Sequence, residues 1–105
     1  KASGSAPDAF IVNSGPQASA AALALARDLR GHGLAVDLDD SGSAFGKQFK
    51  RADRRGARWA LVIGDDEVER GELRLKPLQQ SGQESCVRLD DREAMVAILK
   101  SLQGN

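Results

Sequence analysis

Short apolar runs alternate with segments of helical periodicity along the first two thirds of the chain. The runs at residues 10–12, 34–38 and 59–63 are rich in Ile, Val, Leu and Ala and are flanked by Gly, Pro, Asn or Asp, as is typical of buried parallel strands. Residues 17–30 and 44–55 instead repeat apolar side chains at spacings of three and four. That spacing predicts two helices, each with one face toward a core.

The last third of the chain predicts strands with one exposed face and a closing helix. Residues 66–70 are long enough for one helical turn, and residues 72–76 alternate strictly between polar and apolar side chains. Strict alternation is the pattern of a strand that buries one face only. After a polar turn at 79–84, we expect a fifth strand at 85–89 and an amphipathic helix at 92–102.

This order of elements predicts a three-layer α/β/α fold around one five-stranded mixed sheet. Crossovers between parallel strands are right-handed, so the helices cover both faces of the sheet. We expect the strand order 2-1-3-4-5, with an antiparallel fourth strand because its link to the third strand is short. The carboxyl ends of strands 1 and 3, at residues 13–15 and 64–67, then lie side by side at a switch point, where ligands tend to bind.

The length fits a single domain, which we expect to span residues 8–105 after a linker at residues 1–7. The linker composition predicts poor order, and the missing initial Met predicts a piece of a longer protein. No apolar run approaches the roughly 20 residues that span a bilayer, and no signal pattern opens the chain. A single Cys suits a reducing compartment. We therefore expect a cytoplasmic protein without membrane contact.

Positive charge is concentrated on the second predicted helix, although the whole chain is formally neutral. Residues 45–58 contain six basic side chains and one acidic side chain. The spacing of Phe45, Phe49 and Ala52 predicts the inward face of this helix. The outer surface carries the basic residues Lys47, Lys50, Arg51, Arg54 and Arg55. This surface is either a solvated face or a footprint for the phosphates of a polyanion.

The chain lacks the residues that most catalytic and metal centres need. With one His and one Cys it can assemble neither a zinc cluster nor a Cys–His pair. We expect His32 to be a solvated helix-end residue and Cys86 a small buried side chain. The glycine-rich phosphate motifs do not occur, and the three Asp residues between 37 and 40 lack the further acidic pair of a magnesium-binding receiver domain. We therefore predict no catalytic residue and no metal site.

Two polar residues near the predicted switch point are candidates for ligand contact. Glu67 either starts a helical turn, where a carboxylate meets the helix N-terminus favourably, or projects from the sheet edge and accepts hydrogen bonds from bases. Lys76 ends the alternating strand and is either an ordinary exposed Lys or a contact to the same ligand. Single-stranded RNA loops, whose bases are splayed out, present suitable edges.

Several motifs at matching intervals resemble one known domain family. They read Phe45-x-Lys47-Gln48-Phe49-x-x-Ala52-Asp53-x-x-Gly56-Ala57-Arg58, then Val62-Ile63-Gly64-x-x-Glu67-Val68-x-x-Gly71 and Lys76-x-Leu78. Together with the first strand, the Ala-rich helix and the segment at 82–84, they resemble the C-terminal anticodon-binding domain of histidyl-tRNA synthetase over about residues 8–103. Other class IIa synthetases share the fold and the Gly-x-x-Glu turn, whereas the Lys-Gln-Phe helix favours the histidyl enzyme.

The resemblance implies recognition of the anticodon loop of histidine tRNA, by binding rather than by bond-making. In the family, the Glu of the Gly-x-x-Glu turn and the basic residue of the following strand lie at the anticodon surface. The matching residues here are Glu67 and Lys76, so the resemblance implies that they read anticodon bases.

The resemblance also implies further contacts to the tRNA. Lys47, Gln48 and Lys50 match the family's helix, and the Lys side chains are expected to hold backbone phosphates. The strand-end backbone near Asn13 and Gly64 is expected to read anticodon bases, together with Glu67 and Lys76.

The class II motifs that bind ATP and histidine are absent from the chain, so the resemblance implies that catalysis lies elsewhere in a longer enzyme. We expect no cofactor in this fragment, with ATP and Mg²⁺ confined to that catalytic domain. The implied partners are histidine tRNA, the catalytic domain and, for the parent enzyme, a second copy in a homodimer, with neither DNA nor membrane. Two alternatives stay open: a tRNA-sensing regulatory module of a kinase or accessory subunit, and a plain α/β interaction module that packs Trp59 and the first helix on a partner.

Overall fold

The computed structural model describes residues 6–79 and 82–101, in which every predicted strand and helix is present. The strands are β1 (Ala9–Ser14), β2 (Val36–Leu38), β3 (Trp59–Gly64), β4 (Glu72–Pro77) and β5 (Ser85–Arg88). The helices are α1 (Pro16–Gly31), α2 (Phe45–Arg54), α3 (Asp65–Arg70) and α4 (Arg92–Ser101). Linker positions 1–5, turn positions 80–81 and position 102 of the predicted closing helix lie outside the described residues.

The strands form one mixed sheet in the order β2-β1-β3-β4-β5, which confirms the predicted topology. β1 is parallel to β2 and β3, whereas β4 is antiparallel to β3 and β5. The register pairs Ala9 with Trp59 at one end and Ser14 with Gly64 at the other. The carboxyl ends of β1 and β3 are therefore adjacent, at the switch point of the sheet.

Each face of the sheet buries its own apolar cluster, so the predicted three-layer α/β/α fold is confirmed. The larger cluster lies between the sheet and helices α1 and α4, which contribute the fully buried Leu25, Leu29, Met95 and Leu99. The smaller cluster lies under α2 and comprises Phe10, Val12, Ala52, Ala57 and Val62. The half-buried Phe45 and Phe49 pack against its edge.

Helix α2 packs over β1 and β3 and leaves the same face of β4 and β5 uncovered. Along β4, Leu73 and Leu75 are fully buried in the larger cluster, while Arg74 and Lys76 are exposed on the other face. Cys86 of β5 pairs with Arg74 and is also exposed, so the predicted burial of Cys86 is wrong. The physical reason is that none of the helices α1–α4 of the described residues covers this face of the edge strand.

Helix α2 starts without a side-chain cap, and its buried face differs from the one predicted by Phe45, Phe49 and Ala52. Its N-cap is Ala44, with no side-chain cap, because Ser41 and Ser43 hydrogen-bond to each other and to Arg51 instead. The side chain of this helix that is buried alongside Ala52 is Gln48, and the two Phe side chains flank it. The polar Gln48 therefore takes a core position that apolar periodicity could not predict.

Hydrogen bonds hold the segment before β1 and the C-terminal end of α1 in place. Pro7 is buried, and its carbonyl accepts a hydrogen bond from the Arg58 backbone N–H at 3.3 Å, so Pro7 packs with the domain rather than with the expected linker. His32 is exposed at the C-cap of α1, as expected, with Nδ1 2.9 Å from the Asp28 carbonyl oxygen. Among the helices within residues 6–79 and 82–101, none has the length and apolar character to cross a membrane.

Candidate functional site

The carboxylate of Asp65 caps α1 from the neighbouring strand end. Helix α1 begins after Gly15, which carries no side chain for capping and has φ +108°. Asp65 Oδ1 accepts a hydrogen bond from the Ala18 backbone N–H at 2.9 Å, which satisfies one of the free donors at the start of the helix. A Cβ at position 15 would lie 2.3 Å from this oxygen, so only Gly fits there. This contact ties the ends of β1 and β3 together.

Glu67 uses its two carboxylate oxygens differently. Oε1 accepts a hydrogen bond from the Gly64 backbone N–H at 2.7 Å, which closes the first turn of α3 onto the end of β3. A Cβ on Gly64 would lie 2.8 Å from this oxygen, which explains why the motif pairs Gly with Glu. Oε2 accepts a hydrogen bond from Arg70 at 3.2 Å and lies 3.7 Å from a guanidinium nitrogen of Arg74. Glu67 is only 7% exposed, and its Oε2 lies beside the exposed side chains of Arg70 and Arg74.

An open cleft of about 460 Å³ lies at the two strand ends. It is lined by Ser14, Gly15, Phe45, Gly64, Asp65, Asp66, Glu67 and Arg74. The Phe45 ring reaches to 3.8 Å from the place where a Gly64 Cβ would lie, so the missing side chain leaves room for the ring at the strand end. The cleft thus combines an aromatic ring, carboxylates and a guanidinium, which together can stack on a planar ring and hydrogen-bond its edge.

Aromatic and cationic side chains meet between α2 and the open face of β4. Phe45 and Arg74 line the same cleft, and the Lys76 Nζ lies 5.0 Å from the centroid of the Phe49 ring, in a cation–π position. We call the surface formed by Phe45, Phe49, Arg74 and Lys76 the α2–β4 groove. Aromatic rings beside exposed cationic side chains are the usual elements of single-stranded nucleic-acid binding.

Gln48 joins α2 to the end of β1. Its Oε1 accepts a hydrogen bond from the Asn13 N–H at 2.9 Å, and its Nε2 donates to the carbonyls of Asn13 at 2.8 Å and Ser43 at 2.6 Å. Because β2 ends at Leu38, this amide replaces the strand neighbour that Asn13 lacks. Gln48 is fully buried and its amide is hydrogen-bonded within the protein, so its side chain is not on the surface where the expected tRNA contact would be made.

The backbone at the ends of β1 and β3 is satisfied within the protein. Both backbone groups of Asn13 bond to Gln48, while its side chain donates to the Asp39 carbonyl at 2.7 Å and accepts from the Ser19 hydroxyl at 3.1 Å. The Gly64 N–H bonds to Glu67. Gly64 lines the cleft and Asn13 lies next to it in β1, and the N–H groups of both residues are hydrogen-bonded within the protein.

The cations of α2 fall into two groups. Arg51 and Arg55 form ion pairs with Asp39 at 2.8 Å and with Asp37 at 2.7 Å, on the side of the helix toward β2. The outer cations Lys47, Lys50 and Arg54 are exposed and have no ion pair within the described part of the chain. This second group is the positive surface that remains available to an external anion.

The carboxyl group of Asp39 is held in its charged form. Burial acts to raise its pKa, but hydrogen bonds from the Ser41 hydroxyl and backbone and from Arg51, with the charge of Arg51, outweigh burial. The net result is a pKa below the usual Asp value. Asp39 thereby anchors the loop between β2 and α2 to the helix.

Comparison with known families matches nearly the whole chain. Residues 8–100 match a family model described as "Anticodon binding domain". The chain belongs to this anticodon-binding family. A histidine–tRNA ligase of Parasynechococcus marenigrum (strain WH8102) is 61% identical over 97 residues, which cover 92% of this chain and 23% of that protein. A histidine–tRNA ligase of Synechococcus sp. (strain WH7803) is 55% identical over 95 residues, or 90% of this chain and 22% of that protein. The chain thus spans less than a quarter of the length of these relatives.

Solved structures of the anticodon-binding family have the same fold. Apo histidyl-tRNA synthetase of S. aureus superposes with a TM-score of 0.77 at 35% identity, over 90% of this chain and 27% of that chain. The RNA-binding domain of threonyl-tRNA synthetase from Cryptosporidium parvum Iowa II superposes with a TM-score of 0.78, over 96% of this chain and 26% of that chain. Its 18% identity makes this second likeness one of fold alone.

The candidate residues of this anticodon-binding family member lie in different parts of the structure. Glu67 and Gly64 line the switch-point cleft, and Lys76 lies in the α2–β4 groove. Gln48 is buried and hydrogen-bonded to Asn13 near the end of β1. Lys47 and Lys50 lie on the exposed surface of α2. Sequence reasoning did not single out Arg74, although the alternation along residues 72–76 places it on the same face as Lys76.

Proposed function

We propose that this chain is the anticodon-binding domain of a cytoplasmic histidine–tRNA ligase and binds the anticodon loop of histidine tRNA. The observation that carries the proposal is the α2–β4 groove, which leads to the switch-point cleft in a member of the anticodon-binding family. The 61% identity to a histidine–tRNA ligase supports the choice of amino acid. The domain supports aminoacylation through affinity and selectivity for tRNA, and the bond-making steps occur elsewhere.

In this proposal, bases and phosphates meet different parts of the surface. Lys47 and Lys50 contact backbone phosphates, because they are exposed cations without ion pairs among the described residues. Lys76 contacts the loop from the groove, beside the Phe49 ring. Glu67 accepts a hydrogen bond from a base through Oε2, which already accepts one from Arg70 and has a further lone pair, whereas Oε1 is bonded to the buried Gly64 N–H.

Three residues act in support of this surface. Gln48, Asn13 and Gly64 are buried or internally hydrogen-bonded, so they hold α2 and the strand ends in place while other side chains contact the loop. A displacement of α2 would move both Phe rings of the groove. We therefore expect these residues to affect binding through geometry.

The rest of the proposed enzyme lies outside this chain. A catalytic domain in the same polypeptide uses ATP and Mg²⁺, and the parent enzyme is a homodimer that contacts neither DNA nor membranes. The relatives' greater length supports a further domain, because this chain covers only 23% of the Parasynechococcus protein. No role toward ATP or Mg²⁺ is assigned to any residue of this chain.

A titration with RNA hairpins tests the proposed function. The probe is a stem-loop that carries the anticodon 5′-GUG-3′, the complement of the histidine codon CAC, and its control has the same stem with a scrambled loop. We expect tighter binding to the anticodon loop, and Glu67→Ala should reduce that preference. Equal binding to both loops would favour a regulatory tRNA-sensing module, whereas no binding to either would favour a protein-interaction module.

A further inference from the structure

Arg74 holds both arms of its guanidinium group near carboxylates without a direct hydrogen bond to either. One terminal nitrogen lies 3.7 Å from Glu67 Oε2, and the other lies 3.8 Å from Glu84 Oε2. Both distances exceed the usual 2.7–3.2 Å of a hydrogen bond. The Arg74 side chain is 50% exposed and lines the switch-point cleft. Its planar fork is thus oriented by charge while its donors stay available.

The neighbouring Arg70 provides a useful contrast. It donates to Glu67 at 3.2 Å and to Glu72 at 3.0 Å, so its donors are used in direct contacts along the surface. Arg70 does not line the cleft, whereas Arg74 lies beside Phe45 there. Of these two cations near Glu67, Arg74 is the one placed to meet a ligand in the cleft.

The charges around Arg74 favour a neutral ligand group over a phosphate. Glu67 and Glu84 lie within 4 Å of its guanidinium, and Asp66 lines the same cleft. A phosphate that approached Arg74 would meet these carboxylates and be repelled. A nucleobase carries no net charge, and the Phe45 ring offers it a surface for stacking.

The arrangement of donors and acceptor selects among the bases. An Arg fork pairs with two adjacent acceptors, and in the loop 5′-GUG-3′ guanine presents such a pair, O6 and N7, whereas uracil does not. The next atom around that edge of guanine is the N1–H donor, which matches Glu67 Oε2 beside Arg74. Adenine places an amino group where guanine has O6, so it would set donor against donor.

We propose that Arg74 is a specificity-determining residue that donates two hydrogen bonds to O6 and N7 of one guanine in the bound loop, while Phe45 stacks on that base. This inference rests on the proposed function, because it names the base that the proposed anticodon site selects. Glu67 and Glu84 hold the guanidinium in the orientation that the base requires.

The test replaces each loop guanine of the 5′-GUG-3′ hairpin in turn by 7-deazaguanine, which lacks the N7 acceptor. For the unchanged 105-residue chain, we expect binding to weaken about tenfold at one guanine position and little at the other. Arg74→Ala should weaken binding to the normal loop by roughly 5- to 150-fold and bind the normal and 7-deaza loops equally. Arg74→Lys keeps the charge and a donor but lacks the planar fork, so it should retain salt-dependent affinity and only part of the sensitivity to N7.

Arg88→Ala is the matched control. Arg88 is an exposed cation of β5 that pairs with Glu72 and lies on the same face of the sheet as Arg74. It should weaken binding to every loop by a similar small factor and retain the sensitivity to N7. If Arg74→Ala kept that sensitivity, another group would contact N7 and the inference would be overturned. If the unchanged chain preferred the anticodon loop but ignored N7 at both positions, the inference alone would fail. Equal binding to the anticodon loop and the scrambled loop would instead contradict both the proposed function and this inference.

Discussion

The Gly64–Glu67 pair offers a direct test of how the switch point is built. In Gly64→Ala, the new Cβ would lie 2.8 Å from Glu67 Oε1, closer than real Cβ contacts allow. The backbone of Gly64, with φ −114° and ψ 177°, is extended and suits Ala equally well. The substitution therefore acts through the displaced carboxylate rather than through backbone strain.

The expected loss in the free energy of unfolding follows from the hydrogen bond that the substitution displaces. The Gly64 N–H donates to the charged Oε1 at 2.7 Å in a buried position, and a buried hydrogen bond to a charged group contributes about 1.5–3 kcal/mol. Glu67→Ala should lower the free energy of unfolding by about that amount. Gly64→Ala should lower it by about 1–2 kcal/mol, because the carboxylate can retain part of the bond after moving. In a Glu67→Ala background there is no carboxylate to displace, so adding Gly64→Ala should change the free energy by less than about 0.5 kcal/mol.

Urea unfolding of the four proteins, followed by fluorescence of the buried and single Trp59, measures this cycle. The control is Gly46→Ala, an exposed helical position where a Cβ meets nothing within 4 Å, and it should stabilise the protein by about 0.5–1 kcal/mol. If the effects of Gly64→Ala and Glu67→Ala added to within about 0.5 kcal/mol, Glu67 would not be the group that requires Gly at position 64.

Three further predictions address the support and the charge of the site. Gln48→Ala should lower the free energy of unfolding by about 2–4 kcal/mol, because the buried backbone groups of Asn13 lose their partner; a loss below 1 kcal/mol in urea unfolding would contradict this role. The pKa of Asp39 is lowered in the folded state, so its stabilisation is present above the unfolded pKa of about 3.9 and is lost as the pH falls through the folded pKa. The stability difference between the unchanged protein and Asp39→Asn should therefore shrink below about pH 4 in urea unfolding, and a difference independent of pH would refute the assigned charge state. Lys50→Ala should weaken binding to every RNA loop and reduce the slope of log Kd against log salt by about 1, whereas Arg55→Ala, with the same charge change at an ion-paired position, should change the slope less.

Much of the fold could be predicted from local patterns. A run such as residues 59–63 has no polar position to place in water, so it belongs in the middle of a sheet. The short link through α3 forces β4 to run antiparallel to β3, and strict alternation along β4 separates Leu73 and Leu75 from Arg74 and Lys76. These features depend on chain length and on side-chain period, which are properties of the sequence itself.

The candidate site was predicted less completely, because its chemistry depends on contacts between distant segments. The motif placed Glu67 at the switch point, but tertiary contacts decide that Oε1 accepts from the Gly64 N–H and that Oε2 accepts from Arg70. Gln48 has the spacing of a helix residue beside two Phe side chains, yet the early end of β2 decides that its amide is buried against Asn13. The exposure of Cys86 similarly depends on how far α2 extends across the sheet.

By itself, the sequence of this protein determined the order of its elements, the position of its switch point and the concentration of basic residues on α2. The tertiary structure decided which of those charges are free, since Arg51 and Arg55 are ion-paired and Lys47 and Lys50 are not paired among the described residues. It also brought Arg74 beside Phe45 and Glu67 in one cleft. The physical reason is that periodicity determines which face a side chain occupies, whereas hydrogen-bond and ion-pair partners are determined only when separate elements pack together.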